Sequence, residues 1–170
     1  GGILDLRFVD EFSGIQAVIL LGQAGMEAGR ALAKALYGQV NPSGRLTDTW
    51  AASYDQYPSW DTFGRQNGDV TKEFYYEGIY VGYRWFDCFQ KKVRYPFGYG
   101  LSYTSFDEQI VDVQAKGKAG YLDVTVKNTG ERYSGKEVLQ LYLHGPKIEN
   151  VAREEKKLVA FAKSRLLSPG

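Results

Sequence analysis

Residues 15–21 read Ile15-Gln16-Ala17-Val18-Ile19-Leu20-Leu21, a near-continuous apolar run. A half-exposed strand alternates polar and apolar residues. A run like this one suits a strand buried on both faces of a parallel sheet. Gly22-Gln23-Ala24-Gly25 follows as a tight turn, and residues 26–37 then read as a helix. Ala31, Leu32, Ala35 and Leu36 fall on one face of it, and Gly38 stands where a helix C-terminal glycine belongs. Asn41-Pro42-Ser43-Gly44 has Pro second and Gly fourth, as a type I turn prefers. Residues 45–50 read as a second strand. Strand, helix and strand make one βαβ unit. One such unit cannot close a core, so most of its sheet is expected to lie outside this stretch.

The pattern changes near residue 53. From there to residue 106 lie 17 of the 25 aromatic residues, with many glycines and weak periodicity. A connector of that length needs a job or a packing partner. Residues 77–89 are expected to hold a short helix. Tyr95-Pro96-Phe97-Gly98-Tyr99-Gly100 cannot be regular throughout. Beyond residue 105 the pattern is all β. One strand is marked by Ile110, Val111 and Val113, and a second by Leu122, Val124 and Val126 in alternation with polar residues. Leu139, Leu141 and Leu143 mark a third, and residues 158–161 a fourth. Short alternating strands separated by turns suggest an immunoglobulin- or fibronectin-type sandwich. That fold needs about seven strands, so the sandwich is expected to be incomplete.

Net charge is +1 and no long basic run occurs, so the electrostatic footprint of a nucleic-acid binder is missing. The mixed-sign run Arg153-Glu154-Glu155-Lys156-Lys157 reads as a solvated surface. No stretch approaches the roughly 20 apolar residues of a membrane span. Cys88 is the one cysteine and can form no internal disulfide. The chain starts Gly1-Gly2-Ile3 and stops at the turn-like Ser168-Pro169-Gly170, and both ends read as cut. Part of a sheet and part of a sandwich would leave apolar faces uncovered, so the isolated chain is expected to aggregate or fold only partly.

For chemistry, His144 and Cys88 are the only His and Cys, and neither sits in a nucleophile signature. His144 ends a strand beside Gly145-Pro146 and reads as a surface or turn residue. No His/Cys cluster or Asp-rich loop calls for a metal or other cofactor. Gly22, Gly25 and Gly29 follow GxxGxxxG, not the dinucleotide spacing GxGxxG. Glu27 in the first helical turn would also repel a phosphate. Four carboxylates stand as candidates for acid or nucleophile work: Asp48, Glu73, Glu77 and Asp87. Glu77 is the foremost, because Tyr75, Tyr76 and Tyr80 flank it and an aromatic setting can raise a carboxyl pKa. The structural alternative is a salt bridge, with Arg84 for instance, or a capping role.

Specific strings then matter. Gly22-Gln23-Ala24-Gly25-Met26-Glu27-Ala28-Gly29 with Ala31-Leu32-Ala33 resembles the GQxGxxxGxALA segment of glycoside hydrolase family 3. Asn41 to Leu46 is similar to its NPSGRLP signature, with Thr47 in place of the final Pro. Residues 76–87 resemble YxEGIYVGYRYFD, and residues 95–104 resemble FPFGYGLSYT. Residues 124–142 resemble VxVxNTGxxxGKEVxQLY, and residues 157–170 the ELxxFxKxxLxPG strand. The resemblance implies an α/β plus all-β chain: residues 1–52 end an α/β sandwich domain, 53–105 form an aromatic linker, and 106–170 begin a fibronectin-III-like β-sandwich. It implies a parent that is a retaining, exo-acting β-glycosidase of β-glucosidase or β-xylosidase type. The nucleophilic Asp would lie in an SDW-type motif of an N-terminal (β/α)8 barrel, and the acid/base Glu in the α/β sandwich domain upstream of the GQxG segment, in a stretch before Gly1. The substrate, a β-glucoside or β-xyloside, would bind through that barrel. On this reading the chain holds no catalytic residue, Glu77 remaining the one local candidate, and needs no cofactor, nucleic acid or membrane. The alternative is a non-catalytic carbohydrate-binding or domain-interaction module.

Overall fold

A computed structural model describes residues 3–64, 68–117, 119–146 and 148–170. The architecture is mostly small antiparallel sheets with few helices. The helices are α1 (Ala28–Leu36) and α2 (Tyr83–Cys88). The strands are β1 (Trp50–Ala51), β2 (Val93–Tyr95), β3 (Phe106–Lys116), β4 (Ala119–Asn128), β5 (Val138–Leu143) and β6 (Lys157–Lys163). They pair as β1-β2, β3-β4 and β5-β6, three two-stranded sheets among the described residues. Two compact units form. The first comprises Gly1–Gln23, Arg45–Tyr99 and Leu141–Ala160, and the second Ala24–Gly44, Gly100–Gln140 and Phe161–Gly170.

In the first unit the core is small and aromatic. Leu6, Trp50 and Phe86 are its buried apolar residues. Phe86, on α2, meets the edge of Tyr57 at 5.5 Å between centroids and 90° between planes. Trp50 stands edge-on to Tyr95 at 6.3 Å, across the antiparallel pairing of β1 with β2. Polar tips of these rings find backbone partners, as buried aromatics require. Trp85 Nε1–H donates to the Gln56 carbonyl at 2.8 Å. The Tyr57 hydroxyl donates to the Thr49 carbonyl at 3.1 Å and accepts the Ala51 N–H at 3.0 Å. Burial pushes that hydroxyl above its ordinary pKa, so it keeps the proton it donates.

In the second unit α1 ends as the sequence predicts. Gly38 takes a φ of 67° just past the helix, and its N–H donates to the Ala35 carbonyl at 3.0 Å. Only glycine takes that backbone conformation without cost. β3 and β4 run antiparallel over most of their length, with a bulge between Ile110 and Asp112. Leu122, Val124 and Val126 turn to the half-buried face of β4 while Asp123, Thr125 and Lys127 face solvent, the expected alternation.

Two sequence expectations fail. Residues 15–21 form no strand. Ile15, Val18, Ile19, Leu20 and Leu21 are each between 39 % and 52 % exposed. A strand exists only through a ladder of bonds to a neighbour, and no described segment pairs with this run. Residues 45–49 likewise form no strand; only Trp50 and Ala51 pair, and they pair antiparallel with β2. The βαβ unit is therefore not formed within this chain. Leu46 keeps a strand-like contact, donating its N–H to Tyr99 O and accepting from Gly98 N–H, both at 2.8 Å.

Exposed apolar surface is not confined to that run. Ile110, Val111 and Val113 on β3 are each more than 60 % exposed, as is Phe161 on β6. Such surface drives association. The isolated chain should sediment as oligomers and bind an apolar dye such as ANS. A sharp two-state transition of a soluble monomer would contradict this.

Candidate functional site

Glu77 sits in a stretch without regular structure, where its carbonyl accepts the Tyr80 N–H at 3.0 Å and Gly78 takes a φ of 58°. Its side chain is half-buried. Among the described residues the carboxylate has no hydrogen bond or ion pair, and no salt bridge to Arg84 forms. The neighbouring rings go elsewhere. Tyr75 and Tyr76 are strongly exposed, Phe74 stacks on Tyr76, and Tyr80 packs against Phe89 at 5.2 Å.

The other carboxylates are engaged locally. Glu73 Oε2 accepts the Gly64 N–H at 2.9 Å. Asp48 Oδ2 accepts the Thr47 hydroxyl at 3.3 Å. Asp87, on α2, lies 3.2 Å from Lys156 Nζ, and that ammonium also sits 5.1 Å from the centre of the Tyr142 ring. Burial raises the Tyr142 hydroxyl above its ordinary value. Among the described residues no hydrogen bond joins Cys88 to His144. Cys88 Sγ accepts the Glu155 N–H at 3.0 Å, while His144, well exposed, lies 3.8 Å from Glu155 Oε1. Gly22 and Gly25 both take positive φ, as a tight turn requires. Among the described residues no group of three or more His, Cys, Asp or Glu could hold a metal. No helix is long and apolar enough to cross a membrane.

The polar centres that the structure does build were missed at the level of roles. Asn41, which opens the Asn-Pro-Ser-Gly turn, uses both polar atoms of its amide. Its Oδ1 accepts from Ser102 Oγ at 2.9 Å and from the Tyr103 N–H at 2.8 Å, and its Nδ2 donates to the Ser134 carbonyl at 3.1 Å. Asn128, at the end of β4, is 2 % exposed. Its Nδ2 donates to the carbonyls of Tyr133 (2.9 Å) and Leu167 (3.0 Å). Its Oδ1 accepts from Thr104 Oγ1 (2.6 Å) and the Gly130 N–H (3.0 Å). The sequence signal for Asn41 was its place at the head of a turn motif, a position Asn favours because its side chain bonds nearby backbone. Gly135 lies against the Asn41 knot. A Cβ there would come within 2.8 Å of Asn41 Nδ2 and Phe106 Cζ and 2.9 Å of Thr104 Cγ2. Gly135→Ala is therefore expected to destabilise by about 1–3 kcal/mol, the usual cost of overpacking. Gly29→Ala on α1, where a Cβ meets nothing within 4 Å, should stabilise by about 0.5–1 kcal/mol. Urea midpoints of the two variants test this contrast.

One further anchor is ionic. Arg94, mostly buried, grips the exposed Asp10 with two bonds of 2.7 Å. The guanidinium holds the Asp10 carboxyl below its ordinary value. A depressed carboxylate adds stability that is present above the unfolded pKa, about 3.9, and is lost as pH falls through the folded value. Asp10→Asn should thus flatten the acid limb of the stability profile. An unchanged acid limb would remove this pair from the account.

The first unit also holds a cleft of about 490 Å³, lined mainly by Ile3, Leu4, Tyr54, Tyr57 and Phe63 with Asp5, Ser53 and Ser59 at its polar positions.

Comparison with known proteins assigns the chain. Residues 1–83 match the model of the glycosyl hydrolase family 3 C-terminal domain. A beta-glucosidase of Ruminococcus albus is 41% identical over 99% of this chain, which covers 17% of that protein. Beta-glucosidase A of Butyrivibrio fibrisolvens is 41% identical over the whole chain, which covers 22% of it. Beta-glucosidase 3B from Thermotoga neapolitana, solved with glucose, superposes with a TM-score of 0.82 and 43% identity, covering 89% of this chain and 21% of that one. The chain thus spans about a fifth of the length of these relatives. It belongs to glycosyl hydrolase family 3 and corresponds to the C-terminal portion of that family's proteins.

Proposed function

We propose that this chain is the non-catalytic C-terminal scaffold of a retaining, exo-acting β-glycosidase of β-glucosidase or β-xylosidase type, which removes terminal sugars from glycosides. The observation that carries the proposal is what the family-motif residues do. Asn41 and Asn128 spend every polar atom of their amides on internal bonds. They support folding, not substrate. The parent's chemistry would need two carboxylates flanking the glycosidic bond, one attacking the anomeric carbon and one protonating the leaving oxygen. Both would lie outside this chain, in the barrel and in the upstream part of the α/β sandwich domain. A β-glucoside or β-xyloside would bind there. The domain reading follows the same line: residues 1–52 end the α/β sandwich, 53–105 link, and 106–170 begin a fibronectin-III-like sandwich, supported by the succession of β3, β4, β5 and β6.

The test is an assay of the isolated chain on aryl β-glucosides. No turnover is expected, and Glu77→Gln should leave the longer enzyme's kcat within a factor of a few. Enzyme-like turnover by the isolated chain that disappears in Glu77→Gln would overturn the reading.

One observation favours a second reading, sugar binding without chemistry. Tyr54, Tyr57 and Phe63 line the 490 Å³ cleft, and aromatic faces can stack on sugar rings. Titration with cellobiose or xylan decides it. No binding at millimolar ligand removes this alternative.

A further inference from the structure

Helix α2 carries three side chains that reach one short segment of the first unit. Tyr83 and Asp87 stand four apart and so share a face of the helix, and Cys88 is its last residue. The Tyr83 hydroxyl accepts the Leu158 N–H at 2.9 Å. Cys88 Sγ accepts the Glu155 N–H at 3.0 Å and lies 3.9 Å from the Arg153 carbonyl oxygen. Asp87 Oδ2 lies 3.2 Å from Lys156 Nζ. The same ammonium sits over the Tyr142 ring, and that ring meets Tyr83 edge-on at 5.8 Å.

The segment depends on these partners. Residues 151–156 form neither helix nor strand, and β6 begins only at Lys157. A backbone N–H has to find an acceptor, and those of Glu155 and Leu158 find theirs 67 and 75 positions away. These two contacts reach backbone, so they fix the path of the chain whatever side chains stand at 155 and 158. A single hydrogen bond adds little net stability, and a part-exposed ion pair adds little more. The three attachments fall within residues 155–158, however, so the ordering that one of them requires also serves the others.

We infer that α2 is a clasp for residues 155–158, which positions the start of β6, and that this segment docks and releases as one cooperative unit. The inference is independent of the proposed enzymatic role.

The test is hydrogen exchange, read amide by amide, on the protein that carries this chain. Tyr83→Phe keeps the ring and removes only the hydroxyl that meets Leu158. It should speed exchange of the Glu155 amide as well as that of Leu158, each by about two- to tenfold, the range one lost hydrogen bond gives. Cys88→Ala, which removes the acceptor of Glu155, should likewise speed Leu158. The amides of β4 are the control and should not change. Faster exchange confined to the amide whose own acceptor was removed overturns the inference, because the contacts would then be independent caps. Unchanged exchange at both amides overturns it too, as does an equal rise along β4, which would be a global loosening. If Cys88→Ala fails to fold, Lys156→Met, which breaks the link to Asp87, takes its place and must speed both amides.

Discussion

Asn128→Ala should destabilise the second unit by about 3–4 kcal/mol. The side chain makes four hydrogen bonds, and the residue is almost wholly buried. Each intramolecular bond is worth about 0.5–1.5 kcal/mol net, but a buried partner left without one costs about 1–3 kcal/mol. Alanine would strand the carbonyls of Tyr133 and Leu167, the Gly130 N–H and the Thr104 hydroxyl together. Some would recover water, which keeps the total below the sum of the worst cases. Asn128→Asp should be no milder at neutral pH. It keeps an acceptor for Thr104 and Gly130, but turns a second oxygen toward two carbonyls that need a donor. Hydrogen exchange at the Gly130 amide gives a local readout. Protection retained in Asn128→Ala would show that the backbone turn holds itself together without the amide.

Phe86→Ala should cost about 3–4 kcal/mol in the first unit. Phe86 is 3 % exposed, and truncating a buried Phe to Ala typically costs about 3–5 kcal/mol through lost transfer energy and the cavity left behind. The cavity would open against Tyr57, whose edge-on ring it removes from contact. Tyr57 in turn bonds Thr49 and Ala51, so the loss should reach β1. Phe86→Leu, which keeps most of the volume, should cost less than about 1.5 kcal/mol. Fluorescence of Trp50 and Trp85 during urea unfolding measures both. Equal midpoints for the two variants would mean that the site collapses freely and that Phe86 is not a packing anchor.

Much of the local structure was legible. The periodicity of residues 26–37 and the glycine after it predict α1 and its left-handed cap. The alternation of Leu122, Val124 and Val126 predicts β4 and the face it half-buries. The short helix expected within residues 77–89 is α2. These features depend on contacts a few residues apart, which sequence spacing records. The failures are of another kind. Residues 15–21 have the composition of a buried strand, but composition cannot supply the neighbour whose backbone completes the ladder. Arg94 and Asp10 stand 84 positions apart, and nothing in either neighbourhood announces their bidentate pair. The turn headed by Asn41 was legible; that both polar atoms of the Asn41 and Asn128 amides bond internally was not.

Sequence alone determined the family, through motif strings in a fixed order, and determined helix α1 with its glycine cap and the alternation of β4. It could do so because those choices rest on local backbone preference and side-chain period. Tertiary structure decided the rest: that the apolar run at 15–21 pairs with no described segment, that four candidate carboxylates go separate ways, and that two asparagines serve as internal knots. Those outcomes depend on which distant groups meet, and hydrogen bonds and burial are settled only when both partners are in place.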